Sequence, residues 1–217
     1  MHRKMLLFGQ KPSAVFSQIY ENNLWGDQES FSGPGSRLDR TEKIRTSLPG
    51  LLTKYDCSSL LDIPCGDFNW MKQLNLNLLY IGADIVPDLI EQNTKRYQNE
   101  NRQFQVLNLL SDALPKVDIV LCRDCPVHFS TNDIKKAITN IKVSGSKFLL
   151  TTTFSNLDVN HNIVTGEWHK INLLLPPFNL AEPIDQIDDS YNSPNYFDKH
   201  LGLWRLSDIA VNWSKGN

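Results

Sequence analysis

The sequence predicts an α/β protein built on a Rossmann-like, doubly wound, mostly parallel sheet. Three observations carry that expectation. Short apolar runs recur between residues 57 and 154, helix-forming segments alternate with them, and the first run ends in an acidic, glycine-bearing turn, LLDIPCGDFNW (60–70). The predicted strands are SLLDI (59–63), NLLYIGADI (77–85), FQVLNL (104–109), VDIVLCRD (117–124) and SKFLLTTTF (146–154). Runs this apolar, without strict alternation, suit parallel strands covered on both faces.

The intervening helices have identifiable starts. Residues 86–99 place Pro87 in a first turn, where its missing N–H costs nothing. Residues 131–142 follow Ser130, with Asp133 three residues on in a capping-box pattern, and carry Ile134, Ala137 and Ile141 on one face. Residues 68–76 leave room for a short helix only. Upstream, 12–56 reads as two helical pieces separated by GDQESFSGPGS (26–36). Downstream, 155–217 is irregular, with INLLL (171–175) and LGLWRL (201–206) as candidate edge strands. The polar stretch between those two runs is long for an idle connection and suits a binding loop or lid. The expected organisation is one domain: a helical cap (1–56), a cofactor-binding core (57–154) and a substrate-side region (155–217).

The bulk properties narrow the function. Of 217 residues, 41% are hydrophobic and 21% charged, and the net charge is −2 with Lys and Arg scattered. No basic footprint for nucleic acid is present. No window approaches the length of a transmembrane helix, and the N-terminal apolar run is too short for a secretory signal, so the expected location is cytoplasmic. Cysteines 57, 65, 122 and 125 lack disulfide-framework spacing. The Cys122/Cys125 pair has no second pair of ligands for zinc, no metal ligand is assigned, and metal dependence stays open.

Ligands of an open α/β sheet bind beyond the carboxyl ends of the strands. There the first predicted strand carries Asp62 and the second Asp84, 22 residues later. A carboxylate at the second position accepts hydrogen bonds from ribose hydroxyls. A dinucleotide site needs G-x-G-x-x-G and backbone N–H groups facing a pyrophosphate. Here Pro64 has no N–H, and Asp67 would repel phosphate. No P-loop motif occurs either. Acidic residues without a phosphate cradle suit a nucleoside carrying an ammonium and a sulfonium, which describes S-adenosylmethionine.

In that order, LLDIPCGDFNWM, YIGADIVPDLIEQN and VDIVLCRDCPVHFS resemble the first, second and fourth motifs of class I S-adenosylmethionine-dependent methyltransferases. The segments ENNLWG, SGPGS, LPPFNL and LGLWRLSDI extend the likeness to a subgroup of small methyltransferases that modify glycans, including chlorovirus modules that O-methylate a terminal rhamnose. The departures are real: of the three motif glycines only Gly66 remains, with Pro64 and Phe68 at the other places, and Asn108 stands where an acidic residue often follows the third strand.

The resemblance implies S-adenosylmethionine as cofactor, S-adenosylhomocysteine as product and a carbohydrate acceptor. It also implies action beside or fused to glycosyltransferases, in the host cytoplasm if the chain is viral. It assigns Asp62 to the methionine ammonium, Gly66 to close backbone approach with Pro64, Cys65 and Asp67 in the same turn, Asp84 to the ribose, Ile85 to the adenine face and Asn108 to its edge. Trp70 either walls the cofactor or fills the core. Ser36 closes over the methionine carboxylate or belongs to a plain turn. Cys122 and Arg123 end the fourth strand beside the cofactor, Arg123 as a backbone anchor or a carboxylate partner. Asp124 and His128 are the catalytic candidates: one accepts the hydroxyl proton, while Asp124 alternatively aligns the imidazole or anchors a ligand and His128 alternatively caps the following helix. Two readings stay open beside a sugar O-methyltransferase, namely a non-sugar small-molecule acceptor and a non-catalytic nucleoside-binding module. The nitrogen-methylating [DN]-P-P-[YFW] signature is absent after the fourth strand.

Overall fold

The computed structural model describes residues 9–191, 193 and 196–213. Within them seven strands form one sheet: β1 (Ser59–Asp62), β2 (Leu79–Asp84), β3 (Arg102–Val106), β4 (Ile119–Cys122), β5 (Phe148–Phe154), β6 (Asp185–Asp188) and β7 (Lys199–Arg205). Their order is β3-β2-β1-β4-β5-β7-β6, with β1 to β5 parallel and β7 antiparallel to both of its neighbours. Strand order reverses at β1, so its carboxyl end and those of β2 and β4 surround the crevice where a ligand can lie.

Among the described residues four α-helices flank the sheet: α1 (Pro12–Glu21), α2 (Glu42–Lys54), α3 (Pro87–Tyr97) and α4 (Thr131–Val143). Adjacent strand residues feed opposite layers, as the two-residue period requires. Leu61, Val120 and Leu149 pack with Ile134, Ala137 and Ile138 of α4. Their neighbours Leu60, Ile119, Leu121 and Leu150 pack with Ile44, Leu48 and Leu52 of α2. Burial on both faces explains why the strands are apolar runs. Ser130 caps α4 as its sequence implies, its hydroxyl accepting from the Asp133 N–H at 3.2 Å.

Two expectations for the C-terminal region are corrected. INLLL is not a strand: it crosses the end of β5, where Phe154 N–H donates to the Ile171 carbonyl and Leu173 N–H to the Thr153 hydroxyl. The edge partner of β7 is instead β6, DQID, whose polar alternation hides it in the stretch read as a loop. The short helix expected over 68–76 is a 3₁₀ turn at Met71–Gln73.

Candidate functional site

The carboxyl ends of β1, β2 and β4 open into a cavity of about 570 Å³, roofed by α1 and the 31–36 loop. That volume is ordinary for a small-ligand site. On its floor Asp62 is 2% exposed and accepts one hydrogen bond, from the Tyr80 hydroxyl at 2.7 Å. Burial pushes its carboxyl up to about 7, with Tyr80 and Arg123 pulling in the other direction. At the end of β2, Asp84 accepts from the Gly66 N–H (3.2 Å) and the Val86 N–H (3.1 Å). Burial raises it to about 6 against those two donors. Both groups are desolvated carboxyls with incomplete compensation, which favours a cation or a pair of hydroxyl donors as ligand.

A stability test follows from Asp62. Its folded-state pKa of about 7 lies above the usual unfolded value of about 3.9, so the folded chain holds the extra proton between those values. This group therefore contributes least stability once pH has risen through 7. Asp62→Asn keeps an acceptor for Tyr80 and removes the titration. Its stability relative to wild type is expected to improve by up to about 4 kcal/mol between pH 4 and pH 8. Denaturant midpoints that differ by the same amount at both pH values would refute it.

The turn after β1 is also the anchor of the roof. Asp67 does not line the cavity: its carboxylate accepts from the Ser30 hydroxyl (2.9 Å), the Phe31 N–H (2.9 Å) and the Ser32 hydroxyl (3.2 Å). Asn69 donates to Glu29 (2.9 Å) and to the Ser36 carbonyl (3.1 Å). Gly66 has φ +56°, and a Cβ there would lie 2.1 Å from the Ser32 hydroxyl oxygen, so the glycine serves the roof contact as well as the turn. Asp67→Ala removes the acceptor shared by Ser30, Phe31, Ser32 and the Asn69 N–H (3.3 Å) and is expected to lower unfolding free energy by about 1–3 kcal/mol, measured by urea titration. An unchanged midpoint would show that the roof is held otherwise.

The far wall is polar and aromatic. Arg123, after β4, donates through Nε and an Nη to Asp189 (3.0 Å each) and to the Gly35 carbonyl (2.9 Å). Asp124 has φ +52°, a conformation a non-glycine residue adopts only under constraint. Lys199 supplies the constraint, its Nζ 2.8 Å from each carboxylate oxygen, and Arg123 adds a contact at 3.3 Å. Burial would raise the Asp124 carboxyl, but Lys199 and Arg123 hold it well below the usual carboxylate range. His128 lies in the 3₁₀ turn Pro126–His128. Its Nδ1 is 2.8 Å from the Glu167 carbonyl, so Nδ1 carries the proton and Nε2 is the acceptor. Burial lowers its pKa, opposed by the Glu167 carbonyl and Asp124. The ring packs on Trp25, centroids 5.2 Å apart.

Of the residues expected from sequence, the cavity lining unites Ser36, Asp62, Pro64, Cys65, Gly66, Trp70, Asp84, Ile85, Asn108, Arg123, Asp124 and His128. Cys122 is not among them; it is 1% exposed in the core beneath. Trp70 is buried in the core, 6% exposed, and its ring also lines the cavity 5.8 Å from the Arg123 guanidinium. Asn108 spends its side-chain oxygen on the Leu110 N–H (3.0 Å). Sequence reasoning gave no role to Tyr80, Trp25, Asp189 or Tyr196. Tyr80 alternates with Asp84 on β2 and was within reach of a cross-strand argument; the others come from distant segments.

No family model and no curated protein sequence matches the chain. Solved structures do. The N-methyltransferase NodS from Bradyrhizobium japonicum WM9, in complex with S-adenosyl-L-homocysteine, has a TM-score of 0.65 at 14% identity, over 87% of this chain and 97% of that one. Magnesium protoporphyrin IX methyltransferase (ChlM) from Synechocystis PCC 6803, with bound S-adenosylhomocysteine, gives 0.59 at 13% identity, over 88% and 98%. The methyltransferase domain of bacterial CtHen1 gives 0.58 at 11%, over 78% and 100%. By strand order and by these likenesses, the chain has the Rossmann-like fold that these methyltransferases share.

Proposed function

We propose that the chain is an S-adenosylmethionine-dependent methyltransferase that O-methylates a sugar hydroxyl of a glycan, with a terminal rhamnose as the first acceptor to try. The observation that carries this reading is the pairing of two under-compensated carboxyls at the ends of β1 and β2 with a neutral histidine across one cavity. The residues fit the cofactor. Asp62 would hold the methionine ammonium and become fully ionised in doing so, Asp84 would accept from the ribose hydroxyls, and Ile85 and Asn108 would face the adenine. Bound there, the cofactor supplies an electrophilic methyl group on a sulfonium.

What remains is to orient the acceptor and take its proton. His128 is the base in this reading, its Nδ1–H fixed on the Glu167 carbonyl and its Nε2 left to accept. Asp124 is not the base, because its two cations keep it ionised; it sets a fixed negative charge near the imidazole that favours its protonated form. Phe154, Trp168, Tyr191 and Tyr196 line the same part of the cavity, with Tyr191 stacked on Tyr196 at 4.4 Å and Trp168 against Tyr196 at 5.7 Å. Such rings suit the C–H faces of a sugar while Asp124 and His128 meet its hydroxyls. Among the described residues no helix is long and apolar enough to cross a membrane. We read the chain as one cytoplasmic methyltransferase domain acting beside, or joined to, glycosyltransferases.

The test is an acceptor screen with methyl-labelled S-adenosylmethionine, beginning with rhamnosides and other glycosides. Label transferred to a glycoside oxygen supports the reading. Transfer only to non-sugar small molecules would replace the acceptor, and cofactor binding without transfer to any acceptor would favour a binding module. Trp25→Ala adds a check on His128. With its packing partner gone the imidazole is expected to lose alignment, lowering kcat by about tenfold or more while leaving the affinity for cofactor unchanged.

A further inference from the structure

Among the described residues the side chains lining the cavity include an arginine and a lysine, Arg123 and Lys199. Both are committed inward. The Arg123 guanidinium spans Asp189, the Gly35 carbonyl and Asp124, and its side chain is 4% exposed. The Lys199 ammonium, 2% exposed, bridges Asp124 and Asp189, the latter at 2.9 Å. Asp189 is fully buried behind them, so the four charges cancel. The member of the quartet most open to the cavity is an anion, Asp124, at 27% exposure. Asp62 and Asp84 add acidic groups to the same cavity.

Recognition of a carboxylate or phosphate by side chains is strongest from a cation with free N–H donors, preferably a guanidinium fork. Here neither cation can turn to such a ligand without leaving Asp189 or Asp124 buried and unpaired, a loss that commonly exceeds the gain from the new pair. An anionic acceptor would also meet Asp124 ahead of the two cations, and a quartet whose charges cancel gives it no net attraction to offset its desolvation.

Resting on the methyltransferase reading above, we propose that the acceptor arm takes uncharged glycosides and excludes sugars carrying a carboxylate or phosphate on the ring to be methylated. One consequence concerns order. A nucleotide-activated sugar bears a diphosphate on that ring, so glycosyl transfer, which releases the nucleotide, must come before methylation.

The experiment compares matched acceptors on the full chain with S-adenosylmethionine: methyl glucoside against methyl glucuronide, and methyl rhamnoside against a nucleoside-diphosphate rhamnose. At least one neutral member is expected to be methylated with a kcat/KM at least about tenfold above its anionic match, equivalent to about 1.4 kcal/mol. Equal or better use of the anionic members overturns the proposal, and so does turnover of none of the four. A cofactor titration on the same sample separates either failure from failure of the methyltransferase reading, which would abolish cofactor binding itself. Asp189→Asn, which frees positive charge behind the site, is expected to narrow the preference for neutral acceptors. An unchanged ratio in a folded variant would count against the charge argument, and the wild-type comparison decides the proposal if that variant does not fold.

Discussion

Asp84→Ala is expected to weaken S-adenosylmethionine binding by about 10- to 100-fold, the value of a hydrogen bond to a charged acceptor lost from a desolvated site. The carboxylate has two duties in the structure: it receives the Gly66 and Val86 N–H groups, which shape the turn and the start of α3, and it faces the cavity. Alanine removes both, so the affinity loss has to be separated from local collapse. Asp84→Asn keeps one acceptor oxygen for the turn and should retain most of the thermal stability, yet it presents a single carbonyl in place of a carboxylate and should also bind the ribose more weakly. Calorimetric titration of both variants, with thermal melts beside it, reads the two effects apart. Full affinity in a folded Asp84→Ala variant would remove the ribose assignment.

His128→Asn should lower kcat by about 10²- to 10⁴-fold, the usual size of a lost general base, while cofactor affinity stays within about twofold of wild type. Asparagine retains a smaller polar group beside Trp25 but cannot take the proton. The pH profile provides an independent check. Burial lowers the His128 pKa below its ordinary 6.5, so the neutral, active imidazole persists as pH falls. The acid limb of kcat should therefore lie below pH 6.5, and it should disappear in the variant. If Asp124 were the base, its cations would keep it ionised across that whole range and no such limb would arise. A limb that survives His128→Asn would assign the proton transfer elsewhere.

The parts of this site that were legible in the sequence are those in which a residue's role depends on its own strand. Asp62 and Asp84 each end an apolar run, and a run's end is the sheet's ligand side in a parallel α/β fold. The parallel character of the strands and the α4 cap were readable for the same reason: both show in short-range pattern. What was hidden depends on pairing across the chain. Lys199 reaches Asp124 over 75 residues and Arg123 reaches Asp189 over 66, and no local pattern announces either partner. That hidden pairing changes the chemistry, because it turns Asp124 from a candidate base into a fixed anion. Asp67 was misplaced for a related reason. Its position in the turn matches a ligand-facing carboxylate, but the 30–32 segment folds back from 35 or more residues upstream and supplies three of its hydrogen-bond donors. β6 escaped notice because an edge strand with polar alternate positions resembles a loop.

Cofactor binding by the intact protein is the most direct test of the site. Calorimetric titration of the purified chain with S-adenosylmethionine and, separately, S-adenosylhomocysteine should give saturable one-to-one binding and a raised thermal midpoint with each. Affinity for S-adenosylmethionine should weaken as pH falls below about 7, where Asp62 takes up its proton and no longer offers a charge to the ammonium. No heat and no thermal shift with either ligand would contradict the account, leaving a methyltransferase-like fold whose cavity serves another molecule.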